Sequence, residues 1–331
     1  MKRITSVILI LTLAVLMLTG CGEQKTTEVD TEKQQSISIK VATPSGAPTI
    51  SMIRMFKENP SLGENVEVSY ESVKSPDLMA SRILSGEIDI AVVPTNLAAT
   101  LYNKGAEYKL AASTVWGLLY MVGNEDINGW EELKGKEIYT MGRGLTPDIV
   151  LRYLLSSNGI NPDTDLTLTY VGEATELASA FIGGKSTIAV IPEPMLSNVM
   201  AKKAETVILM DLQEEWGKLN NGNFSYPQAS LIVKNEIVEK YPELVEAFLT
   251  EYEKSIHWLT DNAQKAGEYS EELETGISKA AVVKGLQRSN IRYVGSKDAR
   301  MAIEDYLKVL FNHSPESIGG KLPDEGFYLE K

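Results

Sequence analysis

Residues 79–94, MASRILSGEIDIAVVP, align without a gap to residues 177–192, LASAFIGGKSTIAVIP. Ala80, Ser81, Gly86, Ile90, Ala91, Val92 and Pro94 recur as Ala178, Ser179, Gly184, Ile188, Ala189, Val190 and Pro192. The likeness continues upstream. Residues 39–56 (strand, Ser-Gly loop, Pro48, helix) fall on residues 138–155 (strand, Gly-Arg-Gly loop, Pro147, helix), and residues 66–70 fall on residues 166–170. One strand–helix–strand–helix–strand unit therefore occurs twice. A run such as residues 88–93, nearly all apolar, reads as a strand buried on both faces of a sheet. Open α/β sheets carry their ligand-competent loops at the carboxyl ends of the strands. Two such sheets facing each other would line one cleft with those loops. The fold class expected is α/β, with two similar open-sheet lobes joined by a hinge.

A chain of 331 residues suits two domains, each long enough to bury a core. An apolar share of 43% with 23% charged residues is that of a globular protein, not of a disordered one. The formal charge of −13, with no Lys/Arg cluster among aromatics, excludes nucleic acid as a partner. The acidity itself reads as solubility. Cys21 is the single cysteine, so no intrachain disulfide can form. Lys2 and Arg3 precede a mostly apolar stretch, residues 4–18, which is short for a membrane span. Residues 1–20 have a signal-peptide layout. Leu18-Thr19-Gly20-Cys21 resembles the bacterial lipobox, in which cleavage precedes a cysteine whose thiol becomes lipidated. The other reading is a plain signal peptide with an incidental cysteine. Acyl chains contribute about 0.8 kcal/mol per buried methylene, enough for several of them to hold the protein on a bilayer. Residues 22–36 are polar and lack apolar periodicity, as a flexible tether does.

Along the mature chain, residues 36–42 alternate toward a strand and Pro48 opens a helix at a first helical position. Ser75-Pro76-Asp77 reads as an N-cap, and Gly86 as the stop of the helix after it. The apolar run 110–122 is where the chain would leave the first lobe. Residues 211–227 read as irregular, and residues 228–233 as a strand returning to the hinge. Residues 242–259 form a clear amphipathic helix, with Leu244, Phe248, Tyr252, Ile256 and Leu259 on one face. The hundred or so positions after the hinge read as helical, ending in a Gly/Pro-rich tail from Ser314. These boundaries divide the chain into lobe 1 (37–112 plus 234–331) and lobe 2 (113–233).

Gly142-Arg143-Gly144-Leu145-Thr146-Pro147 is the leading binding candidate. It joins a strand to a helix, where free N–H groups can hold an anion or a polar oxygen, and Arg143 adds a fork of donors. The plain alternative is an ordinary turn with Thr146 as N-cap, and Asp148 in the first turn already supplies charge to the helix dipole. The run lacks the final Gly of a dinucleotide fingerprint and the Lys of a P-loop, so it gives no support to nucleotide binding. Ser45, Gly46 and Ala47 are its counterpart in the first repeat. Thr95 and Asn96 follow the third strand of the first unit, and Glu193 follows that of the second. Their alternatives are helix capping and a helix-start charge. Trp116, with Tyr120, Trp216 and Tyr226, lies near the crossover and either stacks on a ring or fills the core. His257 and His313 are the only histidines and supply neither a triad nor a metal pair. No nucleophile elbow occurs. No cofactor, metal or catalytic apparatus is expected.

Taken together, the lipobox, the repeated α/β layout, Leu133-Lys134-Gly135-Lys136 entering a strand, Leu154-Leu155-Ser156-Ser157-Asn158-Gly159 before the next strand, and Glu193-Pro194 after a buried one resemble the solute-binding lipoproteins of ABC importers. More narrowly, the chain is similar to the sulfonate, taurine and nitrate group and its relatives for thiamine-precursor pyrimidines. The resemblance covers about residues 37–310. It implies a type II periplasmic-binding-protein fold and ligand contacts at Ser45, Gly46, Ala47, Thr95, Asn96, Gly144, Leu145, Thr146 and Glu193. It also implies a small-molecule solute, an ABC permease as partner, a bilayer anchored through acylated Cys21, and a monomer on the outer face of a bacterial membrane. Arg143-Gly-Leu-Thr stands where sulfonate binders often carry a Ser-rich turn, which argues against a sulfonate. The catalytic His and Cys-rich motif of the pyrimidine-synthase branch are not present. Two other functions stay open: a small-carboxylate enzyme of the dehydratase or decarboxylase type with Glu193 as acid or base, and a lipoprotein sensor.

Overall fold

In the computed structural model the described residues are 36–330, apart from Ser75, Glu125, Asp126, Asn223 and Phe224. The signal peptide, Cys21, the tether up to residue 35 and the Ser75 cap lie outside them. No described helix is long and apolar enough to cross a membrane.

The first unit runs β1 (Ile37–Pro44), α1 (Ala47–Ser51), α2 (Ile53–Glu58), β2 (Val66–Val73), α3 (Pro76–Leu84), β3 (Ile90–Pro94), α4 (Thr95–Asn103) and β4 (Tyr108–Trp116). The second runs β5 (Leu119–Gly123), β6 (Glu137–Met141), α5 (Thr146–Ser157), β7 (Thr167–Val171), α6 (Ala174–Ile182), β8 (Ile188–Pro192), α7 (Met195–Lys202), β9 (Val207–Asp211) and α8 (Leu212–Leu219). The chain then returns through β10 (Pro227–Lys234), α9 (Asn235–Lys240), α10 (Pro242–Asp261), α11 (Ala263–Glu272), α12 (Lys279–Gly285), β11 (Ile291–Gly295) and α13 (Ser296–His313).

Two sheets result. One has the order β11-β4-β10-β3-β1-β2, the other β7-β6-β8-β5-β9. In each, the first strand of the repeated unit lies between its two successors and parallel to both: β1 between β2 and β3, β6 between β7 and β8. Each third strand then meets an antiparallel newcomer, β10 beside β3 and β5 beside β8. Residues 90–93 and 188–191 are fully buried, as their unbroken apolar composition requires.

The sheets move the expected lobe boundaries. β4 continues to Trp116 within the six-stranded sheet, and β10 pairs with β3 and β4 from Pro227 onward. Residues 113–116 and 227–233 therefore belong with the first sheet, because their backbone ladders are there. The chain crosses at Gly117 and Leu118, and again between α8 and β10. A Cβ on Gly117 would stand 2.7 Å from Gln213 Cγ and 2.8 Å from the Tyr226 ring. Gln213 ties the crossing by accepting from the Leu119 N–H at 2.8 Å and donating to the Leu119 carbonyl at 3.0 Å.

Three further expectations are corrected. Residues 211–227 contain the helix α8, capped by the Asp211 side chain on the N–H groups of Gln213 and Glu214. A strand, β11, interrupts the helical C-terminal portion and pairs with β4. The stretch bearing α11 and α12, assigned to lobe 1, bridges both lobes: α11 is tied to α2 by the Lys57–Glu272 ion pair at 2.8 Å and by Tyr269 donating to Glu58 at 3.1 Å, whereas Ile277, Ala281 and Val282 share an apolar cluster with Leu177, Phe181 and Leu196.

Candidate functional site

The strands of both sheets end at one cavity of about 100 Å³. From the first sheet come the loop after β1 (Ser45, Gly46, Ala47) and Pro94. From the second come Met141 at the end of β6, Thr146 and Pro147 at the start of α5, Ala174 and Thr175 at the start of α6, Glu193 just after β8, and Met195 at the start of α7. Gln228 and Ala229 of β10 form one wall, and Thr275 and Ile277, between α11 and α12, close another side. Six prolines face it: Pro44, Pro48, Pro94, Pro147, Pro192 and Pro194. With Val115, Leu118, the methionines and Ile277 they make the lining largely apolar. Gly46 reaches φ +108°, a conformation suited to glycine. The Glu193–Pro194 peptide is cis.

Glu193 is 1% exposed. Its carboxylate accepts from Arg288 Nε at 2.7 Å, from the Ser197 N–H at 3.0 Å and from Ser197 Oγ at 3.1 Å. Arg288 also donates to Ser197 Oγ at 2.9 Å. Burial pushes the Glu193 carboxyl above its ordinary value, against the pull of the Ser197 amide and the guanidinium. Thr146 is fully buried. Its hydroxyl donates to Asn96 Oδ1 at 3.2 Å and accepts from Tyr306 at 3.1 Å.

Of the eleven residues singled out in the sequence, Ser45, Gly46, Ala47, Thr146 and Glu193 line this cavity. The other six are placed elsewhere. The Thr95 hydroxyl faces that of Ser230, 2.8 Å away inside the sheet. Asn96 is consumed as a tie, donating to the carbonyls of Gly144 and Ser317, both at 3.0 Å. Trp116 is core, its indole N–H on the Arg292 carbonyl and its face under the Arg292 guanidinium at 4.1 Å. Arg143 lies over the Tyr170 ring at 4.2 Å. Burial and the neighbouring Asp148 carboxylate push the Tyr170 hydroxyl up to about 12. Gly144 gives its N–H to Asp148 Oδ2 at 2.7 Å. Arg143, Gly144 and Leu145, with Asn96, line an open trough of about 920 Å³ that has its own lining, apart from the proline-lined cavity.

Sequence reasoning missed Gln228, Thr175, Thr275, Ile277 and Arg288. The repeat held a signal for Thr175, since each unit's second helix starts at an equivalent strand end. The others arrive from distant chain and carry no local mark. Among the described residues, no cluster of three or more His, Cys, Asp or Glu side chains is placed to hold a metal ion.

Residues 32–271 match the model of the NMT1-like family, well over half of the chain. The chain belongs to the NMT1-like family. Solved structures share its architecture. An ABC transporter from Parabacteroides distasonis, 28% identical, superposes with a TM-score of 0.74 over 90% of this chain and 100% of that one. The aliphatic sulphonate binding protein SsuA of Escherichia coli, 15% identical, superposes with a TM-score of 0.65 over 89% of this chain and 94% of its own. YtlA of Bacillus subtilis, a provisionally assigned binding protein, is 25% identical over 215 residues, 63% of this chain. The match spans 60% of the length of YtlA. The mixed α/β architecture with two sheets is thus that of the type II periplasmic-binding-protein fold.

Proposed function

We propose that this NMT1-like protein captures a small solute in the proline-lined cavity and delivers it to an ABC importer without altering it. The observation that carries the reading is the convergence of strand ends and helix starts from both sheets on one shared space. A solute there touches both lobes at once and so favours their closed arrangement over any open one. Ser45, Gly46, Ala47, Thr146 and Glu193 are the proposed contacts among the residues first singled out. The names of the structural relatives, an ABC transporter and a sulphonate binder, support transport over catalysis. So does Glu193, whose carboxylate oxygens are engaged by Arg288 and Ser197, not held ready for proton transfer. In the same reading Cys21 is acylated and holds the protein, as a monomer, at the outer face of the membrane.

Native mass spectrometry of the full chain, followed by denaturation, tests this directly. The expected result is a stoichiometric small molecule released unchanged, whose re-addition raises the melting temperature. Conversion of that molecule on incubation with the protein would sink the transport reading. For the anchor, Cys21→Ser should move the protein from the membrane to the soluble fraction; unchanged fractionation removes acylation at this residue.

A further inference from the structure

Resting on the solute-capture reading, we infer that the cavity selects an uncharged, compact solute that donates a hydrogen bond to Gln228 Oε1, and rejects oxyanions.

Three observations carry this. First, at three of the helix starts around the cavity a carboxylate of the chain itself already lies on a backbone N–H in, or just before, the first turn; the short α1 has no such carboxylate. Asp148 Oδ2 takes the Gly144 N–H at the entrance to α5 at 2.7 Å. Glu176 Oε2 takes the Gly172 N–H before α6 at 2.8 Å. Glu193 Oε2 takes the Ser197 N–H at the start of α7 at 3.0 Å. A helix start attracts an anion through its free N–H groups and dipole, and an internal carboxylate beside it supplies the dipole with charge and repels a second anion. Second, no Lys, Arg or His among the described residues lines the cavity. Arg288 is committed to Glu193, so an entering anion would meet a carboxylate without a free counter-charge. Burying an unpaired charge against prolines and methionines costs more than any single N–H contact returns. Third, Gln228 Oε1 is buried and has no hydrogen-bond partner, and Gln228 lines the cavity. An unsatisfied buried acceptor is costly until a donor meets it. A solute N–H or O–H meets it while the apolar flank of the solute lies on the proline faces. The cavity volume of about 100 Å³ restricts the solute to a compact one.

Calorimetric titration of the full chain in detergent tests the inference with named probes. The neutral donors are acetamide, uracil and nicotinamide; the anions are nitrate, methanesulfonate and isethionate. Each is titrated into the wild type and into Gln228→Leu, which keeps the bulk and removes the acceptor. The result expected is heat from at least one neutral probe, a weakening of about tenfold in the variant, and no heat from the anions. Binding of any anion overturns the inference, as does silence from every neutral probe or a neutral probe that binds both proteins equally. Should Gln228→Leu not fold, Gln228→Met gives the same readout. The two levels separate cleanly. An anion response removes the ligand class and leaves solute capture standing. A protein that carries no solute and answers neither class removes both.

Discussion

Gly117 is where the chain changes sheets, and its surroundings leave no room for a side chain. The Cβ of an alanine there would press on Gln213 Cγ at 2.7 Å and on the Tyr226 ring at 2.8 and 2.9 Å. Both neighbours are fixed: Tyr226 donates to Gln213 Oε1 at 3.0 Å, and Gln213 clamps Leu119. Yielding would break the clamp, so overpacking wins over any gain in chain stiffness. Gly117→Ala is expected to destabilise the protein by about 1–3 kcal/mol, read as a lower denaturant midpoint at unchanged slope. A shift within error would show that the crossing is looser than these distances imply. Arg143 teaches the opposite lesson about single residues. Its position between two glycines suggested a donor for an anion, yet the guanidinium rests on Tyr170. Sequence shows which residues are chemically able to bind; it does not show which partner reaches them first.

Elements were far more legible than contacts. The repeated segment marked β3, read as residues 88–93 and found at 90–94, and with it its counterpart β8, because a strand buried on both faces has no freedom to be anything but apolar. Pro48 and Pro147 marked the openings of α1 and α5 because the ring fixes φ and needs no N–H there. The helix α8 reads as loop in the sequence, since its cap is a single Asp211 and its turn signals lie beyond it at residues 220–222. At the site, loops expected from the repeat do line the cavity, whereas the walls from β10 and from residues 275–277 depend on how distant chain returns. Asn96 shows what an element tie does. It joins the start of α4 to the loop before α5 and to the C-terminal segment, through Gly144, Thr146 and Ser317. Asn96→Ala leaves the carbonyls of Gly144 and Ser317 without this donor in a space the residue fills at 1% exposure. A loss of about 1–3 kcal/mol in stability is expected, with solute affinity falling because the tie that holds two lobes together is gone. Affinity reduced at unchanged stability would instead place Asn96 against the solute.

At the scale of the whole molecule, the question is whether two sheets mean two folding units. The strands pass from one sheet to the other at Gly117–Leu118 and return after α8, and so few crossings suggest lobes free to melt apart. The packing says otherwise. Ala42, Val93 and Leu110 of the first sheet belong to the same apolar cluster as Leu119, Met121, Ile138 and Val190 of the second. A second cluster brings Ile50 and Ile53 of the first unit together with Tyr120, Ala189 and Ile191 of the other, closed over by α12. The C-terminal helix α13 adds a third link, its Tyr306 stacking on Tyr226 at 5.8 Å and touching Trp216 at 5.7 Å. Unfolding either lobe alone would expose the other's face of these clusters, at a cost of roughly 25 cal/mol for each Å² of apolar surface. Multi-domain chains of this length commonly unfold in steps; here one shared core is expected to impose a single transition. Scanning calorimetry should therefore show one peak, with van't Hoff and calorimetric enthalpies in agreement. Solute at about one hundred times its dissociation constant should move that peak upward as a whole, in line with about 2.7 kcal/mol of linkage. Two resolved peaks, of which only one responds to solute, would mean that the clusters do not couple the lobes and that the cavity is built by one of them alone.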